Sequence, residues 1–198
     1  MKATIRELAA LAKARMIKDR RHLHAHPELS FQEFQTAAYI KSSLDGLGIS
    51  WASMGGTGIV ALVKGELPSD KVIALRADID ALPIREETGL EFSSGVPNVM
   101  HACGHDAHTA SLLGVAFILQ SMRSSFSGTV KLIFQPGEEK LPGGASILIK
   151  EGVLENPVPI AVIGQHVMPG MAPGKIGIRK GVSMASMDEI YVRLQGNG

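Results

Sequence analysis

Cysteine and aromatic side chains are scarce in this chain, and long runs of charge or of apolar residues are missing. One cysteine in 198 residues forms no internal disulfide, which fits a reducing compartment and leaves Cys103 either free for metal or chemistry or buried and inert. Aromatic residues make up 5% of the chain, and 20 basic against 19 acidic side chains leave a formal net charge of +1. That composition gives neither the basic footprint nor the stacking platforms of a nucleic-acid binder, so no nucleic-acid partner is expected. The best apolar run, ASLLGVAFIL at 110–119, has ten residues, against the roughly 20 that a membrane span needs, so no membrane partner is expected. The N-terminus, MKATIRELAALAKARMIKDRR, is punctuated by charge and does not read as a secretory signal. A soluble, cytoplasmic protein is expected.

What is present is a globular composition, 45% hydrophobic and 20% charged, enough to bury a core. Thr4 and Glu7 make a capping-box pattern ahead of Ile5, Leu8, Ala12 and Met16 at helical spacing, which predicts a first amphipathic helix. Ser30 and Glu33 repeat the pattern before Phe34, Ala37, Ile40, Leu44 and Leu47, with Gly46 and Gly48 ending a second helix. Strands are expected at 57–65, 71–78, 129–135 and 159–166, the first two separated by a turn at ELPSD. Their nearly continuous apolar character suggests burial on both faces, and HTASLLGVAFILQSM and GGASILIKEG suit crossover helices between them. The alternation argues for an α/β fold, a mostly parallel mixed sheet flanked by helices.

In such sheets ligands sit beyond the carboxyl ends of the strands. Three predicted strands finish in ionisable residues there: Asp78 and Asp80, Glu138 and Glu139, and His166. The octet HACGHDAH at 101–108 places three histidines, the cysteine and an aspartate just before a helix. Each piece has a plain alternative. A strand-end aspartate is usually a turn residue, paired glutamates are usually a solvated loop, and His166 could be a satisfied core histidine. Asp106 could cap the following helix and His108 fill its first turn. Together they would require four coincidences at one end of one sheet.

In order along the chain, HAHPELSFQE, LRADIDALPI, MHACGHDAHTA, IFQPGEE and IGQHV resemble the metal-dependent amidohydrolases of the aminoacylase and carboxypeptidase group. The resemblance is strongest to the branch with hippurate hydrolases, auxin-conjugate hydrolases and N-acetyldiaminopimelate deacetylases. It implies a zinc-peptidase-like catalytic domain that hydrolyses the amide of a small N-acyl amino acid with one or two divalent metal ions. By the same resemblance Cys103, His105, Glu139 and His166 are metal ligands, Glu138 is the general base, and Asp80 orients a ligating side chain. Asp78 stands where many relatives have a histidine ligand, and its role stays open. His101, Asp106 and His108 are assigned to support around the ligands.

The chemistry agrees with that assignment. Cys103 and His105 are close enough in sequence to reach one centre, and a following helix N-terminus favours a thiolate. Sulfur, imidazole and carboxylate together suit zinc, manganese, cobalt or nickel. A metal would lower the pKa of bound water, Glu138 would deprotonate it, and neighbouring glutamates in extended backbone would point apart, one to metal and one to substrate. A competing reading makes Cys103 a nucleophile with His101, His105 or His166 as base, but leaves Asp80 and both glutamates idle.

Residues 183–198 alternate with a period of two, Ile190, Val192 and Leu194 on one face, which predicts a strand. The resemblance implies that 1–182 are the N-terminal part of a catalytic domain and 183–198 the first strand toward a lid or dimerisation domain. A longer form could then be a homodimer. A catalytically incomplete metal-binding fragment is the alternative expectation.

Overall fold

The computed structural model describes residues 2–182 and 190–196. It divides into two units, Met1–Val167 and Met168–Gly198. Every helix and strand among the described residues belongs to the first unit, in the order α1 (Lys2–Ala25), α2 (Phe34–Asp45), β1 (Trp51–Met54), β2 (Gly58–Lys64), β3 (Leu67–Asp78), α3 (His105–Ser121), β4 (Ser127–Gln135), α4 (Gly144–Lys150) and β5 (Val162–Gly164). A short 3-10 turn, Arg123–Ser125, precedes β4.

The five strands form one sheet in the order β1-β2-β4-β3-β5. β2 is antiparallel to β1 and β4, whereas β3 is parallel to β4 and β5. Four strands therefore run one way, the mostly parallel mixed sheet expected from the alternation of elements. On one face, Ala37, Ile40 and Leu44 of α2 and Leu112, Leu113 and Ala116 of α3 pack with Ile59, Leu132 and Phe134 of the sheet. On the other, Leu148 of α4 packs with Ala74 and Ile133. α1 lies against α3 where Gly114 leaves room, since a Cβ there would stand 2.5 Å from the Met16 sulfur.

Local details differ from the sequence reading. α1 starts at Lys2, so Thr4 and Glu7 lie inside the helix and do not cap it. Residues 67–70, expected as a turn, open β3, with a register irregularity before Val72. β1 went unforeseen because WASM carries no clear apolar alternation. β5 is three residues long, and its residues are exposed. In the second unit, residues 190–196 form no strand and Ile190, Val192 and Leu194 are exposed. A strand is held by ladder hydrogen bonds, and alternation alone does not supply them. The rest of the expected strand, 183–189 and 197–198, lies outside the described residues.

Candidate metal centre

The register of the sheet gathers the polar residues. Asp78 pairs with Gln135 and Arg76 with Gly164, so β3, β4 and β5 end at one rim. Asp80, Glu138, Glu139 and His166 follow within a few residues, and the first turn of α3 adds His105. Gly104 precedes that turn at φ 85°, a left-handed conformation that glycine adopts without strain.

His105 is the hub. Its Nδ1–H faces the Asp80 carbonyl at 2.9 Å and the Asp80 carboxylate at 3.2 Å. Donation from Nδ1 leaves the lone pair on Nε2. That Nε2 is buried and has no hydrogen-bond partner among the described residues, and the same holds for Glu139 Oε1. The two atoms lie 3.8 Å apart, with Glu138 Oε2 at 4.0 Å and Asp78 Oδ2 at 3.6 Å from the same nitrogen. A buried nitrogen lone pair facing three carboxylates is costly without a cation between them. His166 is prepared in the same way: Nδ1–H donates to the Val167 carbonyl at 2.6 Å, and Nε2 lies 3.4 Å from Cys103 Sγ. Cys103, His105 and His166 bring one potential ligand atom each to within 4.8 Å of one another, as do His105, Glu138 and Glu139. The donor set fits a divalent transition ion.

The electrostatics carry the same signature. Burial would lower the His105 proton affinity, but the carboxylates of Asp80, Asp78 and Glu139 outweigh it and raise the pKa above 6.5. Burial and the adjacent Glu139 raise the pKa of Glu138, the direction that suits a general base. Burial followed by Glu139 and Glu138 pushes the Cys103 thiol up to about 12. The benefit expected from the helix N-terminus is thus outweighed, and a free thiolate nucleophile is disfavoured; a cation in the rim would reverse the trend.

Residues 138–140 are bends, so the alternation expected of extended backbone does not apply, and both glutamates approach His105. They differ in exposure instead: the Glu138 side chain is 41% exposed and that of Glu139 22%. Asp80 is buried, and Oδ2 accepts from Ser30 Oγ at 2.6 Å and from the Glu139 amide at 3.0 Å. Burial alone would raise its pKa, and its partners His105, Glu139 N–H and Ser30 bring it below 3.8. Asp78 is sequestered by His108 at 2.6 Å and Arg76 at 2.7 Å. Those groups and His105 overcome its burial and hold it at about 2.

Asp106 does not cap α3. Its Oδ2 accepts from His24 Nδ1 at 2.7 Å and Arg20 Nε at 2.8 Å, and the other His24 nitrogen faces Glu86 at 3.1 Å. His101 is buried near this group, its ring 6.4 Å from that of His24 and both nitrogens without a hydrogen-bond partner among the described residues. Burial lowers its pKa to about 4.

The loop between α1 and α2, whose role the sequence reading missed, fastens the rim. Glu33 stands at the N-cap of α2 but makes no side-chain cap. Fully buried, its carboxylate accepts from Thr57 Oγ1 at 2.5 Å and from the Gly137 amide at 2.8 Å, immediately before Glu138. Glu28 supplies the α2 cap instead, accepting from Thr36 N at 2.8 Å. Phe31, at φ 65°, packs on Gly137, where a Cβ would come within 2.3 Å of the ring.

A sheet that presents thiol, imidazole and carboxylate donors to one buried lone pair defines a candidate metal-site domain. Residues 74–194 match the model of peptidase family M20/M25/M40, and the chain belongs to that family. An N-acyl-L-amino acid amidohydrolase of Geobacillus stearothermophilus is 44% identical over 198 residues, 100% of this chain and 53% of the relative. An N-acetyl-L-cysteine deacetylase of Bacillus subtilis is 47% identical over 184 residues, 92% of this chain and 43% of the relative. The chain therefore spans about half the length of these curated relatives. A crystal structure of a Bacillus subtilis protein, described as a dinuclear metal-binding peptidase of the M20 family, superposes with a TM-score of 0.82 at 45% identity, covering 87% of this chain and 48% of that one. Human carnosine dipeptidase 1, 15% identical with a TM-score of 0.63, covers 85% and 42% and shares the fold.

Proposed function

We propose that this chain carries the metal-binding rim of an amidohydrolase that cleaves the amide bond of N-acyl amino acids. The observation that carries the reading is the buried His105 Nε2, without a hydrogen-bond partner among the described residues, facing Glu138 and Glu139. Cys103, His105, Glu139 and His166 would hold one or two divalent ions, with zinc, manganese, cobalt and nickel all suited to the mixed donors. When bound, such an ion acidifies water and polarises an amide carbonyl. Asp80 keeps the His105 proton on Nδ1 and so keeps the Nε2 lone pair on the rim. Glu138, the more exposed glutamate, takes the proton from the attacking water and passes it to the leaving amine nitrogen. The substrate class rests on the family and on what the Geobacillus and Bacillus relatives are named for.

A second reading has its own support. In it the same rim binds metal without turnover; Cys103, His105 and His166 bring three potential ligand atoms together whether or not an amide is cleaved. Metal content, measured beside amine release from N-acetyl amino acids and hippurate, separates the two. Turnover that is lost in Glu138→Gln while metal is retained supports the hydrolase. Stoichiometric metal without turnover supports the incomplete site, and turnover unaffected by Glu138→Gln overturns the proposed base.

A further inference from the structure

We propose that Arg76, Asp78 and His108 form a positioning relay that sets the ring of His166, across the rim. The inference rests on reading His166 as a ligand. His166 needs outside support: it is exposed and follows a three-residue strand. The relay supplies that support through the backbone of Val167.

It begins at the end of β3. Arg76 Nε donates to Gln135 Oε1 at 2.8 Å, and Nη1 donates to Asp78 Oδ2 at 2.7 Å, which fixes the guanidinium against a buried carboxylate. Asp78 Oδ1 accepts from His108 Nδ1–H at 2.6 Å. With its proton on Nδ1, the His108 ring presents its Nε2 lone pair to the Val167 amide, which donates at 2.9 Å. On the other side of the same residue, the Val167 carbonyl accepts from His166 Nδ1–H. One backbone residue is thereby held from both sides, and the remaining His166 nitrogen turns toward Cys103 Sγ. The valine side chain completes the seat: a Cβ on Gly104, between Cys103 and His105, would stand 2.4 Å from Val167 Cγ2. His108 and His166 meet edge to face with ring centroids 4.6 Å apart.

Asp78 and His108 lie close enough to His105 to pass for a ligand trio. Their hydrogen bonds give them a different task. Both Asp78 oxygens already accept from donors, and the His108 lone pair is engaged by an amide. What occupies the place of a ligand is a support for one.

The test is zinc affinity and unfolding midpoint of the chain with His166→Ala, His108→Asn and His108→Gln. Asparagine mimics Nδ1 and keeps the donor to Asp78 but cannot reach Val167. Glutamine places its carbonyl oxygen near the Nε2 position and can accept from Val167 N–H. The relay predicts zinc binding about 10- to 100-fold weaker in His108→Asn, with His108→Gln between that variant and the wild type at a similar unfolding midpoint. Unchanged affinity in His166→Ala removes the ligand reading itself. Weakened binding in His166→Ala with unchanged binding in His108→Asn, or glutamine faring no better than asparagine, overturns the relay alone. Failure of both His108 variants to fold also overturns it, by making the ring a core residue first.

Discussion

Replacing Glu33 tests whether the loop between α1 and α2 fastens the rim. The carboxylate is fully buried and satisfies two donors from different parts of the chain, Thr57 Oγ1 and the Gly137 amide. In Glu33→Leu both donors stay buried without an acceptor, at about 1–3 kcal/mol each, so the loss is about 2–6 kcal/mol before roughly 1.5 kcal/mol returned by burying leucine. In Glu33→Gln the amide oxygen can serve Gly137 while the NH2 group donates to Thr57 Oγ1, whose hydroxyl turns to accept. Charge assistance is lost and the buried Thr57 hydroxyl proton gives up its acceptor, together about 1–3 kcal/mol. Urea unfolding measures both, and an unchanged m-value confirms that the comparison is between like states. Because Gly137 lies two residues before Glu139, the proposed ligand, the leucine variant is also expected to weaken metal binding. A leucine variant as stable as the wild type would show that neither buried donor depends on Glu33.

Gly104→Ala combines a left-handed backbone with a Cβ 2.4 Å from Val167, and is expected to lower both the unfolding midpoint and metal affinity. An unchanged affinity would mean that the seat between Cys103 and His105 tolerates displacement. The hydrogen bond to Asp106, opposed by burial and helped by Glu86, raises the pKa of His24 above 6.5. The folded state then binds the proton more tightly, so this contribution to stability is full below about pH 6.5 and is lost as pH rises through the folded value. Asp78 has the opposite sign: its contribution is present above 3.8 and lost as pH falls toward about 2. Unfolding midpoints across both windows check the two signs, and His24→Gln should flatten the upper one.

The class of fold was legible because β2, β3 and β4 are apolar runs bounded by turn residues, and because the sheet order delivers Asp80, Glu138, Glu139 and His166 to one rim. Periodicity also identified Ala37, Ile40 and Leu44 as the buried face of α2, while Phe34, placed on that face in the sequence, is 65% exposed. The polar partners were harder to read. Ser30 and Glu33 have the spacing of a capping box, and local spacing does not reveal that tertiary partners, Asp80 and the Gly137 amide, claim their oxygens. Arg76 gave a signal that went unused, a charge inside the apolar run KVIALRAD, which is the mark of a residue with a buried partner. Asp106 has the position of a helix cap, and its actual partners, Arg20 and His24, are remote in sequence.

Elemental analysis of the purified chain, with Cys103→Ala and His105→Ala beside the wild type, measures the proposed metal site itself. Stoichiometric divalent metal is expected in the wild type and its loss in both variants, each retaining a cooperative unfolding transition. A wild-type chain free of metal after equilibration with zinc or manganese, or variants that retain the full complement, would contradict the proposed site.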